Sequence, residues 1–468
     1  MNKQYDILIL GSGPAGIHAA VAGVQHGATV GLVDMARSPG GRVLKTTEDG
    51  RKLAHTTWFE NRSSEKLSAL FKKYSNRIDY FPGSTLVDLV GKQAVIDGPQ
   101  GPKTLSGHAV VLCPGAVEAP AIFKNWTAPG IYTLGGYNNM IKRGQKLNQS
   151  VLVAGSGPLL YAVAANVAKT SGDLVGLLDA ASFTQNVDLG CRLLAGGYFD
   201  KLGVAAKAFM ALAKTSWKRR CRIASVEGEA GNFTIRTVYM DSDWKTVKKG
   251  PDFKADAIAV SYGLHPNTDL ARRCECAHSY DPVTGIWSTI VDDFLRTSVP
   301  GVYLAGDGVE IKGYEGAAND GRLAGLAALS DMGKGRNIEG ELRALQKKRR
   351  SCEAFASTLS ACSEPGNGYF DELSDDLMIC RCEAITIKDI RKALAEGARD
   401  RNGVKKRSRL GMGHCQGRYC GQVIDRILAG MAGADHIPAL FGPRTPIMPV
   451  RIGVLAGESM PVDDEFRL

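Results

Sequence analysis

Residues 5–16 read YDILILGSGPAG, and this stretch decides the fold. Tyr5 to Leu10 is an apolar strand, Gly11, Gly13 and Gly16 stand in G-x-G-x-x-G spacing, and Pro14 and Ala15 open a helix of small residues that runs to Gly27. A second strand, Ala28 to Val33, ends at Asp34, with 17 residues between that acid and Gly16. In such a unit the first glycine permits a tight turn, the second lets backbone approach a pyrophosphate, and the third lets helix and strand pack closely. The first turn of the helix then offers unpaired N–H groups and a positive dipole end to the phosphates. Asp34 is placed to hydrogen-bond a ribose. Three glycines alone are a weak signal; strand, glycines, helix, second strand and terminal acid in register make a dinucleotide site.

The same order of elements returns in mid-chain. Ser150 to Ala154 reads as a strand, Gly155-Ser156-Gly157-Pro158-Leu159-Leu160 as the turn, and Leu174 to Leu178 as a second strand ending at Asp179. Gly155, Gly157 and Asp179 are therefore candidates for a second nucleotide site. Leu160, however, takes the third glycine position, where a bulky side chain pushes helix and strand apart. Whether this unit holds NAD, ATP or nothing stays open, and the lack of a basic residue directly after Asp179 argues against NADPH.

Around these units lie 468 residues, 44% of them hydrophobic, enough for two to four globular units. Val151 to Ala168 is uncharged and long enough to suggest a membrane span, but Gly155, Gly157, Pro158 and Asn166 interrupt it. The N-terminus runs straight into a strand and does not read as a secretory signal. A cytoplasmic chain, or one lying at the inner face of a membrane, is the expectation. The net charge of +10 is scattered, apart from Lys218 to Arg220, Lys347 to Arg350 and Lys405 to Arg409. With no aromatic or groove-reading element beside those runs, no nucleic acid partner is expected.

Eleven cysteines in such a chain read as reduced, buried or metal-bound. Four form a pattern: Cys380-x-Cys382, 32 intervening residues, then Cys415-x4-Cys420 within GMGHCQGRYC. Between them, Thr386 with Asp389 makes a capping-box start to a helix, and Val423, Ile424, Ile427, Leu428 and Met431 mark another. So small a unit has little core, and such units commonly need a metal staple. Four thiolates suit zinc or an iron-sulfur cluster. The C-x-C pair on an extended strand suits one iron of a two-iron cluster better than a zinc knuckle. Gly411, Gly413 and Gly417 would let backbone N–H groups wrap the sulfides, and Lys405, Lys406, Arg407 and Arg409 would offset the charge or form an ordinary solvated turn. Cys274-x-Cys276 reads as buried or structural, and Cys191, Cys352 and Cys362 are left unassigned. No C-x-x-C dithiol is present. No acid–base or nucleophilic constellation stands out, so no catalytic residue is named.

His108 to Ala116 resembles the apolar strand and turn of flavoproteins with two dinucleotide-binding domains, the glutathione-reductase-like class, and Thr297 to Gly308 (TSVPGVYLAGDG) resembles the second FAD motif of that class. The chain departs from the class at Arg42, where glutamine is usual, and at Cys113-Pro114, where Ala-Thr is usual. CRCE with GMGHCQGRYC resembles a bacterioferritin-associated-ferredoxin-like 2Fe-2S domain, though the C-x4-C ending differs from the usual C-x2-C. The combination, over essentially the whole chain, is similar to the alpha (A or B) subunits of opine oxidases, hydrogen cyanide synthase and heteromeric hydroxyproline dehydrogenases.

That resemblance implies an α/β fold with two dinucleotide-binding domains and a small helical C-terminal 2Fe-2S domain. Its divisions would be residues 1–130 and 256–345 for FAD, 131–255 for a NAD-like unit, functional or vestigial, 346–378 for a helix and linker, 379–435 for the cluster and 436–468 for a strap. It implies FAD contacts at Gly11, Gly13, Pro14, Ala15, Gly16, Asp34, Arg42, Gly115, Gly306 and Asp307, and cluster ligands at Cys380, Cys382, Cys415 and Cys420. The implied function is electron transfer within a heteromeric amino acid or opine dehydrogenase. A D-amino-acid-oxidase-like FAD beta subunit would oxidise the C–N bond, this chain would pass electrons to a quinone or dye-like acceptor, and a small additional ferredoxin-like subunit would be a further partner. The alternative is a stand-alone NADH-dependent reductase of a protein acceptor, against which Leu160 weighs.

Overall fold

The computed structural model describes residues 3–42, 58–145, 149–170, 173–195, 203, 209–213, 215–281, 285–360, 365–432 and 439–456. Cys362 lies outside them.

Strand Lys3–Leu10 runs through the middle of a seven-stranded sheet. On one side it pairs in parallel with Val30–Val33, which pairs with Asp79–Phe81; on the other it pairs with Gly101–Leu112. The far edge of that long strand takes an antiparallel partner, Gln93–Gly98, along its first half and the parallel strand Val302–Leu304 along its second. Ile7, Leu8 and Ile9 are fully buried in succession because both faces of a parallel sheet are covered. Helix Pro14–Gln25 lies on one face beside helix Gly313–Asp331. Their contact needs small residues: a Cβ on Gly321 would sit 1.9 Å from the Ala15 carbonyl oxygen, and one on Gly325 2.8 Å from that of Ala19. The first forty residues and the segment beyond 297 thus build one unit.

A second sheet, parallel throughout, has the order Trp217–Arg219, Asp173–Asp179, Ser150–Gly155, Ala257–Ser261, Ile131–Tyr132. Its central strand alternates: Val151 and Val153 pack with Leu160 and Val163 of helix Gly157–Lys169, while Leu152 and Ala154 join Ile223 and Phe233 of an antiparallel sheet on the opposite face. The uncharged run Val151 to Ala168 is thus a strand and a separate helix. Among the described residues no helix is long and apolar enough to cross a membrane.

The C-terminal unit is a short hairpin, Met378–Cys380 with Ile385–Thr386, and helices Ile387–Ala395, Arg401–Ser408 and Cys420–Ala432. Thr386 and Asp389 form the capping box that their spacing predicts. The unit does not depend on its own core alone. Ile387, Ile390, Ile424 and Leu428 belong to the same buried cluster as Ile223 and Phe233, joined through Tyr369, Leu373 and Leu377. Those three recur every fourth residue in a stretch whose charge makes it read as linker. The Tyr369 hydroxyl bonds both the N–H and the carbonyl of Ile122, and Trp126 Nε1 donates to the Met378 carbonyl at 2.7 Å. Near the C-terminus, Ile447 is buried with its N–H on the Val87 carbonyl at 2.9 Å, and Arg451 pairs with Asp97 at 2.6 Å.

Candidate functional site

Three loops converge on the end of strand Lys3–Leu10. Gly11 has φ +112°, and a Cβ there would lie 2.2 Å from the Cys113 carbonyl oxygen; one on Gly16 would lie 1.7 Å from the Gly11 carbonyl oxygen. Packing of the chain itself therefore demands these two glycines. Gly13 is different. Its φ of −70° suits any residue, and among the described residues a Cβ there would meet nothing within 4 Å. Gly115, at φ +70°, also faces open space. The helix that begins at Pro14 has no side-chain cap and no acid in its first turn, so its N–H groups face this space. Bare glycine backbone beside an uncapped helix start is the surround that a dinucleotide pyrophosphate requires, and FAD fits it.

The remaining residues of the first site close around that loop. Asp34 is held by the Ser12 N–H at 2.5 Å, the Ser12 hydroxyl at 2.7 Å and the Ala36 N–H at 2.7 Å. Gly40 donates to the Ser12 carbonyl at 2.7 Å, and Gly41 lies so close that a Cβ would be 2.9 Å from the Gly13 Cα, while Arg42 is exposed. A Cβ on Gly306, where φ is +74°, would lie 2.9 Å from the Ala15 Cβ. Asp307 accepts from the N–H groups of Lys312 and Gly313 at 3.0 and 3.1 Å, and burial raises its pKa. Sequence reading missed what anchors that loop. Lys312 and Asp320 form an ion pair at 2.9 Å with both side chains fully buried. Lys312 caps helix Gly313–Asp331 and runs past Gly316 to Asp320, eight residues on, a spacing beyond the i+3 and i+4 pairs that a helix announces.

The second glycine loop has the same order of elements, but its backbone differs at the second glycine and so do its contents. Leu160 is fully buried, and a Cβ on Gly155 would lie 2.4 Å from the Ser261 carbonyl oxygen and 3.6 Å from the Leu160 side chain. Gly157 has φ +74° and starts the helix. Asp179 is fully buried with its oxygens already engaged: the Tyr161 hydroxyl donates to it at 2.8 Å, Ala181 N–H at 2.9 Å and Asn186 Nδ2 at 3.1 Å. The Tyr161 ring lies 5.7 Å from Trp217, which stacks on Phe209 at 5.3 Å, and the Arg219 guanidinium sits 4.2 Å over Trp217. Protein groups thus take up the hydrogen-bonding capacity of the acid.

Cys380, Cys382, Cys415 and Cys420 come together from residues far apart in sequence. Cys380 interacts with Cys420 and Cys382 with Cys415, and the two pairs act on each other electrostatically. The Cys420 thiol and the N–H groups of Gly411, Glu383 and Cys382 stabilise a thiolate on Cys380 and, against burial, lower its pKa to about 5. The paired Cys420 is pushed strongly upward by Cys380 and by burial. Gly413 passes so close that a Cβ would lie 2.2 Å from the Cys382 Cβ. Among the described residues no three His, Cys, Asp or Glu side chains gather about a single-ion position. Two thiol pairs with backbone N–H groups aimed at a sulfur suit a two-iron cluster, and the donor set fits it.

The basic run near these thiols is mostly turned to other partners: Arg409 pairs with Glu383 at 2.9 Å, and Lys405 lies 5.0 Å over the Phe441 ring. The cation that acts on Cys420 is Arg401, buried against Asp425 and donating to the Gly421 carbonyl at 2.6 Å. His414 stands 3.8 Å from the Cys382 sulfur. Cys274 and Cys276 are buried, and burial raises both pKa values, as inert structural thiols require.

Comparison with known proteins agrees with both halves. Residues 5–322 match the model of the pyridine nucleotide-disulphide oxidoreductase family, and residues 378–430 that of the BFD-like [2Fe-2S] binding domain. The chain is 29% identical over 452 residues to hydrogen cyanide synthase subunit HcnB of Pseudomonas protegens, covering 95% of this chain and 96% of that one. It is 28% identical over 477 residues to an opine oxidase subunit from Rhizobium meliloti, covering 97% and 88%. Among solved structures, L-proline dehydrogenase from P. horikoshii superposes with a TM-score of 0.68 at 19% identity, over 97% of this chain and 80% of that one.

Proposed function

Because the chain belongs to the pyridine nucleotide-disulphide oxidoreductase family and carries a 2Fe-2S binding domain behind it, we propose that it is the electron-transferring subunit of a heteromeric amino acid or opine dehydrogenase. FAD and a 2Fe-2S cluster are its cofactors. Oxidation of a C–N bond to an imine releases two electrons and two protons; FAD accepts electrons in pairs and the cluster singly, which suits delivery to a quinone or dye-like acceptor. The oxidation itself belongs to a partner subunit bearing its own flavin, of the D-amino-acid-oxidase type. In this reading residues 1–130 and 256–345 bind FAD, through Gly11, Gly13, Pro14, Ala15, Gly16, Asp34, Arg42, Gly115, Gly306 and Asp307. Residues 131–255 form a nucleotide-binding fold whose acid is closed, and Cys380, Cys382, Cys415 and Cys420 hold the cluster within 379–435.

One observation carries this reading: the first glycine loop opens on empty space, whereas in the second Asp179 is buried and capped by Tyr161 and Asn186. A chain with a flavin cradle and a thiol quartet but no open nicotinamide ribose site must receive its electrons from something other than NADH. The test is to purify the chain from its native cells. A second flavoprotein should co-purify, and an amine substrate of that partner should bleach the cluster bands of this chain. A chain that purifies alone and turns over with NADH would instead be the stand-alone reductase.

A further inference from the structure

A cavity separates the flavin-side unit from the thiol-bearing helix. It is lined by Tyr262, His265, Tyr369, Phe370, Gln422 and Arg426, among others, and its water-accessible volume is about 30 Å³. One ordered water needs roughly 10–15 Å³ by this measure, so the cavity has room for about two. It is too small for a metabolite. Among the polar atoms of its wall, His265 Nδ1, on a residue 4% exposed, and Gln422 Oε1 are buried without a hydrogen-bond partner, and the Tyr262 hydroxyl is buried beside them. A buried polar atom left unpaired costs about 1–3 kcal/mol, and such atoms in native proteins are nearly always satisfied by protein or by water.

Both residues are close along the backbone to the two redox sites. His265 pairs with Val117 in the short ladder that follows the flavin turn, and two residues on, the Asn267 N–H donates to the Gly115 carbonyl at 3.0 Å. Gln422 stands two positions after Cys420, in the first turn of helix Cys420–Ala432. We propose that the cavity is a hydration site whose ordered water bridges His265 Nδ1 to Gln422 Oε1, tying the flavin-side strand to the first turn of the cysteine-bearing helix. His265 and Gln422 are positioning residues. The bridge adds a polar tie between the two redox sites, beside the buried packing of Tyr262, Tyr369 and Val423 and the Trp126–Met378 bond. The role rests on the functional reading above, whereas the hydration site itself does not.

Two experiments on the full-length chain with its cofactors test this. A high-resolution crystal structure should show water within hydrogen-bond distance of both His265 Nδ1 and Gln422 Oε1; a dry cavity overturns the proposal whatever the protein's function. Photoreduction of the flavin, with cluster reduction followed in time, reads the role without any partner or substrate. His265→Phe and Gln422→Leu should each slow cluster reduction about tenfold, the lower end of what losing an outer hydrogen-bond partner costs a metal site. Flavin content, cluster content and the cluster's EPR line shape should match the parent. Since His265 is buried, Gln422→Leu, at a partly exposed position, reports if the His265 variant fails to fold. An unchanged rate in a folded variant overturns the positioning role. A chain lacking a flavin or a cluster would instead sink the functional reading and leave the crystallographic test standing.

Discussion

The two glycine loops of this chain share a strand, a G-x-G turn, a helix and a second strand ending in aspartate, and they differ in what surrounds the acid. At the first, Asp34 is held by its own turn, and Gly13 looks onto empty space. At the second, Asp179 is fully buried under Tyr161 and Asn186, and Leu160 fills the position of the third glycine. On the proposed reading the same motif serves as a ligand cradle once and as a packed structural unit once. Backbone pattern records descent; the side chains one turn along decide whether a ligand enters.

Substitutions on each side probe this contrast. The largest effect belongs to Gly13→Val. Among the described residues nothing lies within 4 Å of a Cβ at this position, so the chain should fold, but the space taken is the proposed ligand's, and bound flavin per chain should fall more than about tenfold. Flavin absorbance after purification checks it, and a variant that keeps its flavin breaks the contrast from the first side. Next, Leu160→Ala should cost about 2–5 kcal/mol of stability, the usual range for a buried leucine, without conferring NADH binding, as denaturant unfolding and calorimetry would show.

Tyr161→Phe is smaller, at about 1–3 kcal/mol for a buried acid deprived of one donor, and it carries a pH signature. Burial holds the Asp179 carboxyl above the usual carboxylate range, while the Tyr161, Ala181 and Asn186 bonds and Arg219 oppose the shift. A raised folded-state pKa gives stability that is full below the unfolded value and is lost as pH rises through the folded one. Removing the tyrosine donor raises that pKa further, so the variant's deficit should grow from acid toward neutral pH; a deficit that shrinks would contradict the assignment. Smallest is Arg219→Ala, which gives up a cation–π contact worth about 0.5–1 kcal/mol at a partly exposed site, measurable as a small shift in the urea midpoint.

What the sequence makes legible here is what lies in local register. The G-x-G-x-x-G turn with its strands, the Thr386 capping box and the apolar spacing of Val423, Ile424, Ile427 and Leu428 appear in the structure as read, whereas of the C-x-C pair, expected on an extended strand, only Cys380 lies on one and Cys382 stands in the turn. Leu160, at the third glycine position, is buried where helix Gly157–Lys169 packs on its sheet. What escapes is long-range. Tyr161 is visible beside Leu160, yet only folding brings its hydroxyl to Asp179. Arg401 and Asp425, 24 residues apart, form the buried pair beside Cys420, while the conspicuous basic run turns largely to other partners. Tyr369, Leu373 and Leu377 have a four-residue spacing that could have revealed their packing, but the charge around them masks it. His265 carries no sequence signal, because its importance arises from Gln422 across the cavity.

The central claim, that this chain accepts electrons at its flavin from a source other than NADH, is tested most directly by anaerobic optical titration of the purified chain. NADH should leave the flavin and cluster bands unbleached, while dithionite bleaches both. Rapid bleaching of both by NADH would mean that the second loop still works as a nicotinamide site, despite Leu160 and the capped Asp179, and would contradict the account.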